Sequence, residues 1–287
     1  MYAVDRLYEA VARRGHVCVG LDTSPDYLPP GVLRGPEGVL RYNQAIIDAT
    51  CDIAACFKVQ IAYYEALGVG GLRVYAETLR SIRRKGCLSI GDIKRGDIAD
   101  TALKYATAHF TGDFEADFVT LSPYMGMDSI EPWLDCAERF GKGAFVLART
   151  SNKGMRDFEW QELKSGGRLY NAVLERLSAL AERHTGKYGY GVFGAVVGCT
   201  EPEEAEAIRQ AGRNLFFLIP GYGAQGGGAA DAAILLKDGN GGVVNASRSI
   251  LKAWSSAPDT PAEPTLAYAA EAARNAAVAM RDAILSR

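Results

Sequence analysis

No apolar run in this 287-residue chain approaches the length needed to cross a bilayer. Asp5, Arg6 and Glu9 punctuate the first ten positions, which predicts an amphipathic helix there and not a signal peptide. Histidine is scarce. His16, His109 and His184 stand far apart, none beside a candidate acid or nucleophile, so neither a histidine-based triad nor a zinc site has support. The six cysteines include no Cys-x-x-Cys pair and fall mostly in apolar runs, the pattern of reduced core thiols in a cytoplasmic protein. No Lys/Arg-rich block accompanies the net charge of -2, which argues against nucleic acid and acidic membrane surfaces as main partners. Missing too is a Gly-x-Gly-x-x-Gly after the first apolar run, the usual mark of a dinucleotide fold.

What fills the chain is one unit, repeated. Apolar runs at 16–21, 53–57, from 87, 117–121, 143–148, 192–197, 215–219 and 242–245 alternate with helix-like stretches. Those stretches include 39–50, 62–85 with a break at 68–71, 98–111, 128–140 and 169–184. The acids and proline of 201–204 start another, and Ser247-Arg248 opens one after the eighth run. A Pro-rich connector at 255–265 precedes a last helix at 266–285. The runs are apolar throughout, without the alternation of half-exposed strands, so they suit a parallel sheet covered on both faces. Eight of them in βα alternation predict a single (β/α)8 TIM barrel over residues 1–287, with an extra N-terminal helix and a C-terminal helix. An open doubly wound sheet is the runner-up.

Residues 87–101 are the centre of this arrangement. The third run delivers Asp92 and Lys94 two positions apart, hence on one face of a strand. Asp97 follows Gly96 where strand should turn into helix, so a second carboxylate can return toward the same ammonium. Two flanking anions favour the charged form of a lysine, which makes it a poor nucleophile but a good neighbour and proton donor for a developing carbanion. An ordinary ion-pair network at a strand end is the competing reading of an isolated Asp-x-Lys.

In a barrel every strand C-terminus opens on one mouth, and Asp22, Lys58, Asp92, Lys94, Ser151, Gln225 and Arg248 all lie at or just past a predicted strand end. The glycine-rich turn after the seventh run, 220–228, and the Ser247-Arg248 helix start after the eighth combine free amides with a guanidinium fork. Together they make an anion site at the two strands where such barrels usually grip phosphate. Residues 153–168 form the longest irregular piece, and a loop of that length is more often functional than accidental.

These motifs resemble the orotidine 5′-phosphate decarboxylase family. Asp92-Ile-Lys94-Arg-Gly-Asp97, with Thr101 four residues on, is similar to its Asp-x-Lys-x-x-Asp signature. Leu21-Asp22, Phe57-Lys58, Thr150-Ser151, Pro220-Gly221 through Gln225-Gly226-Gly227 and Ser247-Arg248 match the remaining motifs in order. Ala62-Tyr63-Tyr64-Glu65 points to the longer bacterial branch. Ser122 departs from the asparagine expected there, and 153–168 is hard to align to shorter members.

The resemblance implies that Asp22 and Lys58 hold ribose hydroxyls and the charged network, that Ser151 reads the pyrimidine edge, and that Gln225 bridges phosphate and base. Arg248, with Pro220, Gly226 and Ser247 nearby, would grip the 5′-phosphate. Asp92 would orient Lys94 beside the departing carboxylate, and Lys94 would stabilise and protonate the carbanion at C6. It further implies no metal and no cofactor, orotidine 5′-phosphate and UMP as ligands, and a homodimer in which Asp97 and Thr101 come from the second subunit. Related barrels with a similar strand end act as metal-assisted aldolases or epimerases on sugar phosphates. A silent nucleotide-binding module and Schiff-base chemistry at Lys94 are the other readings.

Overall fold

The computed structural model describes residues 1–256 and 260–287. In chain order it contains α1 (Ala3–Arg14), β1 (Val17–Gly20), α2 (Pro36–Thr50), β2 (Cys56–Gln60), α3 (Ile61–Glu65), α4 (Gly68–Arg84) and β3 (Leu88–Arg95). There follow α5 (Ala99–Phe110), β4 (Phe118–Leu121), α6 (Glu131–Phe140), β5 (Gly143–Arg149), α7 (Leu169–Arg183) and β6 (Phe193–Val197). The chain ends with α8 (Ala205–Ala211), β7 (Phe217–Ile219), α9 (Ala229–Ile234), β8 (Gly242–Ala246), α10 (Arg248–Leu251) and α11 (Leu266–Leu285). Every strand pairs in parallel with its neighbour, and β8 returns to β1 through Val17↔Val244, closing the barrel. The (β/α)8 expectation holds and the open sheet does not.

Two cores follow from this closure. One lies between strands and surrounding helices, where Ile46, Tyr75, Trp133, Leu174 and Ile208 are buried. The other fills the barrel: Cys18, Cys56, Ile90, Phe118, Phe145, Val196, Leu218 and Val243 come one from each strand. Ala3, Val4, Leu7, Ala10 and Val11 of α1 join that inner cluster, so the first helix is the floor of the barrel. That role explains its single apolar face between Arg6 and Glu9. All six cysteines are free, and four of them, Cys18, Cys56, Cys87 and Cys199, are buried. Among the described residues no helix is long and apolar enough to cross a membrane.

Two expected boundaries move. The second strand starts at Cys56 and not Ile53, because Ile53 and Ala54 fold back as a turn whose N–H groups donate to Thr50 O at 3.1 and 2.9 Å, ending α2. Their apolarity reflects burial, not extended backbone. The helical break falls at 66–67, ahead of the glycines; Gly71 lies inside α4, where a Cβ would sit 2.0 Å from Tyr64 O. The connector expected at 255–265 lies partly outside the described residues, at 257–259.

Candidate active site

The period of two that builds the inner core also builds the site. Two residues beyond Cys56, Ile90, Phe118, Phe145 and Val243 stand Lys58, Asp92, Thr120, Leu147 and Asn245, and all five line one cavity of about 380 Å³ at the C-terminal mouth. Asp22, Lys94, Ser151, Pro220, Gln225, Ser247 and Arg248 line the same space. Convergence of strand ends is therefore observed for nine of the expected positions. Asp97, Thr101 and Gly226 are not among its walls.

The charges in it alternate. Asp22 Oδ1 accepts a hydrogen bond from Lys58 Nζ at 2.8 Å, and Lys58 Nζ reaches Asp92 Oδ2 at 3.1 Å. Asp92 Oδ1 in turn accepts from Lys94 Nζ at 2.6 Å. Two neutral donors complete Asp92: Gln60 Nε2 at 2.9 Å on Oδ2 and Thr120 Oγ1 at 2.8 Å on Oδ1. Ser247 Oγ donates to Asp22 Oδ2 at 2.9 Å. It passes over Gly20, where a Cβ would meet that hydroxyl at 2.0 Å.

Burial alone would push the Asp92 carboxyl up. The ammonium groups of Lys58 and Lys94, with the hydrogen bonds from Lys94 and Thr120, outweigh it and hold the group at about 2. Burial likewise opposes the charge on Lys58, and Asp22 and Asp92 overcome it, raising that amine above the ordinary lysine range. Lys58 and Asp92 are thus a locked pair in the wall of the cavity. Lys94 differs: its side chain is 47% exposed against 8% for Asp92, so its ammonium is the accessible one of the two lysines at the cavity. Its backbone is held at φ 45°, a left-handed conformation that costs a non-glycine residue of order 1–3 kcal/mol and persists only where neighbours enforce it. Here the β3–β4 ladder shifts register between Gly91 and Arg95, and Thr120 Oγ1 accepts the freed N–H groups of Ile93 and Lys94, each at 3.0 Å.

Within one chain Asp97, Thr101 and Gly226 stand away from the cavity wall. Asp97 does not return to Lys94; its Oδ1 accepts from the adjacent Ile98 N–H at 2.9 Å, and Ile98 is exposed. Thr101 is likewise exposed in the first turn of α5. Gly226 offers no free amide, because its N–H donates to Gly223 O at 2.9 Å inside the turn. The helix after β8 is a single turn, so any anion held there depends on the exposed Arg248 fork, which has no ion-pair partner among the described residues, and not on a long helix dipole. His184 does have a carboxylate neighbour, Glu138 at 2.8 Å, but at a position outside the cavity.

Sequence reasoning missed Thr120, Gln60 and Asn245. Each is a polar residue inside or ending an otherwise apolar strand, two positions beyond an inward-facing residue or a cation, and that spacing was the available signal.

A closed parallel barrel whose strand ends present alternating carboxylates and ammonium groups defines a (β/α)8-barrel enzyme, with its chemistry at the customary mouth. The model of the orotidine 5′-phosphate decarboxylase / HUMPS family matches residues 15–258. The chain is 53% identical over 284 residues to an orotidine 5′-phosphate decarboxylase of Clostridium perfringens, covering 98% of this chain and 97% of that one. It is 51% identical over 286 residues to that of Clostridium kluyveri, with the same coverage. Among solved structures, the OMP decarboxylase of Leishmania donovani superposes with a TM-score of 0.74 at 32% identity, covering 99% of this chain and 100% of that one. A candidate orotidine 5′-phosphate decarboxylase from Streptomyces avermitilis gives 0.82 at 31% identity, with 99% and 96% covered. The chain belongs to the orotidine 5′-phosphate decarboxylase family and is a carboxy-lyase.

Proposed function

We propose that this enzyme converts orotidine 5′-phosphate to UMP and CO2, a step of pyrimidine biosynthesis, without metal or cofactor. The observation that carries the reading is the alternating array Asp22, Lys58, Asp92, Lys94, with its one exposed member at the cavity. When the C6 carboxylate leaves, its bonding pair stays on C6. Lys94 stabilises that pair and then supplies the proton. Asp92, kept anionic by four donors, faces the departing carboxylate and fixes the lysine. Asp22 and Lys58 hold the ribose hydroxyls, Ser151 reads the pyrimidine edge, and Gln225 spans base and phosphate. Arg248 takes the 5′-phosphate together with amides of the neighbouring turn.

Magnitudes limit what one lysine can do. An ammonium about 4 Å from a unit negative charge contributes roughly 4 kcal/mol at an effective dielectric of about 20, against the ~8–23 kcal/mol that enzymes remove from a barrier. Binding energy from the remote phosphate supplies much of the difference. Asp97 and Thr101, which do not line the cavity of one chain, complete the site from the partner of a homodimer. The decisive experiment adds purified protein to orotidine 5′-phosphate and follows the orotate absorbance with EDTA present. Loss of absorbance with stoichiometric UMP is expected; binding of UMP without turnover, or activity abolished by EDTA, would sink the reading.

A further inference from the structure

The corner of the cavity formed by Thr150, Ser151 and Asn152 lies beyond the last residue of β5, where no ladder hydrogen bond can hold it. On one side Ser151 packs against Gly198 and Gly221 and accepts one hydrogen bond among the described residues, from Thr200 Oγ1 to Ser151 O at 3.3 Å. On the other side stands Glu159, from the 153–168 loop. Its Oε2 accepts the Thr150 N–H at 2.7 Å and its Oε1 the Thr150 hydroxyl at 2.8 Å, a two-pronged charge-assisted clamp on the residue just before Ser151. Asn152 stands 2.7 Å from the same hydroxyl. Glu159 pairs with no cation among the described residues, so Thr150 is what its charge serves.

The clamp itself has a rigid base. The main-chain carbonyl of Glu159 accepts the Tyr170 N–H at 3.0 Å, tying it to the start of α7. Next to it the Trp160 ring stacks with the guanidinium groups of Arg156 and Arg168, at 4.6 and 3.9 Å from its centroid. Those arginines pair with Glu201 and Glu204 beyond β6, and the Tyr170 hydroxyl also donates to Glu204 at 2.8 Å. The loop is thus braced on two neighbouring strand–helix units, and Glu159 is where that bracing meets the cavity wall.

We infer that Glu159 is a positioning residue: by clamping Thr150 it sets Ser151 for recognition of the pyrimidine edge. The inference rests on the proposed role of Ser151. Removing the clamp frees the Thr150–Ser151 peptide and leaves a donor without its acceptor, which weakens contacts to the base and spares those to ribose and phosphate.

Isothermal titration of UMP and of ribose 5-phosphate, which lacks a base, tests this. Glu159→Ala should weaken UMP at least fivefold and leave ribose 5-phosphate within twofold. Thr150→Val, which loses only the hydroxyl prong, should show a smaller loss of the same selectivity. Ser151→Ala should show the full selective loss, and adding Glu159→Ala to it should cost nothing further. Equal weakening of both ligands by Glu159→Ala, or no weakening while Ser151→Ala remains selective, overturns the positioning role. No selective loss in Ser151→Ala overturns the assignment of Ser151, and this inference with it.

Discussion

Thr120 holds the carboxylate of Asp92 and the backbone of Lys94 with one oxygen. Both lone pairs of Oγ1 are taken by the N–H groups of Ile93 and Lys94, so its only proton must go to Asp92 Oδ1. A hydroxyl saturated in this way has no alternative orientation. It forces Asp92 to remain an acceptor and Lys94 to keep its left-handed backbone. Thr120→Val keeps the shape and loses all three bonds. Hydrogen bonds to charged groups are worth about 1.5–3 kcal/mol, so kcat should fall by roughly tenfold or more, with Thr120→Ser recovering most of it. Steady-state decarboxylation of the three proteins decides; equal kcat values would remove Thr120 from the machinery.

The same carboxylate links the site to acid stability. Its folded value of about 2 lies below the unfolded aspartate value, so the unfolded chain binds the proton more readily. The resulting stabilisation is complete above about pH 4 and is lost as pH falls toward 2. Asp92→Asn leaves Lys58 buried with one carboxylate fewer and should cost about 3–5 kcal/mol at pH 7. Urea unfolding at pH 7 and pH 3 should show the gap between parent and variant narrowing in acid. A constant gap would mean that the carboxylate is not depressed.

Asp97, whose carboxylate takes the adjacent Ile98 N–H and stands apart from the cavity wall of its own chain, makes subunit sharing testable. Lys94→Ala and Asp97→Asn proteins, each inactive alone, should regain activity when subunits are exchanged, because a mixed dimer holds one site with both groups. Equal mixing should restore roughly one site in four. If confirmed exchange restores nothing, each site is built within one chain.

At the other end of the cavity, Arg248→Ala should raise KM for the nucleotide far more than for the phosphate-free nucleoside. Charge-assisted bidentate contacts predict a loss of about 2 kcal/mol or more, some thirtyfold, for the nucleotide alone. Parallel kinetics on both substrates would measure it, and equal effects would place the phosphate elsewhere.

Behind Asp22 lies a polar cluster with no exposure. Asn43 accepts from Thr23 Oγ1 at 2.7 Å and donates to Tyr64 OH at 2.8 Å and Thr78 Oγ1 at 3.1 Å, while Tyr64 OH donates to Leu21 O at 2.9 Å. Asn43→Ala strands these groups and should cost about 1–3 kcal/mol in denaturant unfolding. An unchanged midpoint would show that the cluster rearranges freely.

Much of the fold was legible because each strand is an apolar run closed by polar residues, which is what burial on both faces demands. Asp22, Asp92 and Lys94 were legible for the same reason: charge at the end of such a run has to face the mouth. Lys58 was found at a strand end but stands inside β2, since Ile53 and Ala54 are apolar for a turn's sake. Thr120 escaped notice because a threonine suits any strand, and its value depends on β4 meeting the bulged end of β3, a register no local pattern encodes. The proposed partnership of Glu159 with Thr150 spans nine residues of irregular chain, beyond the reach of any periodicity.

The meeting of β1 with β8 has a price in time. Cys18 and Asn245, which touch inside the finished barrel, are 227 residues apart, and α11 must still follow. A growing polypeptide therefore leaves the ribosome with its opening strand unpaired on one edge for nearly the whole of translation. During that interval the floor helix and the half-built cylinder leave bare the apolar surface that closure later buries.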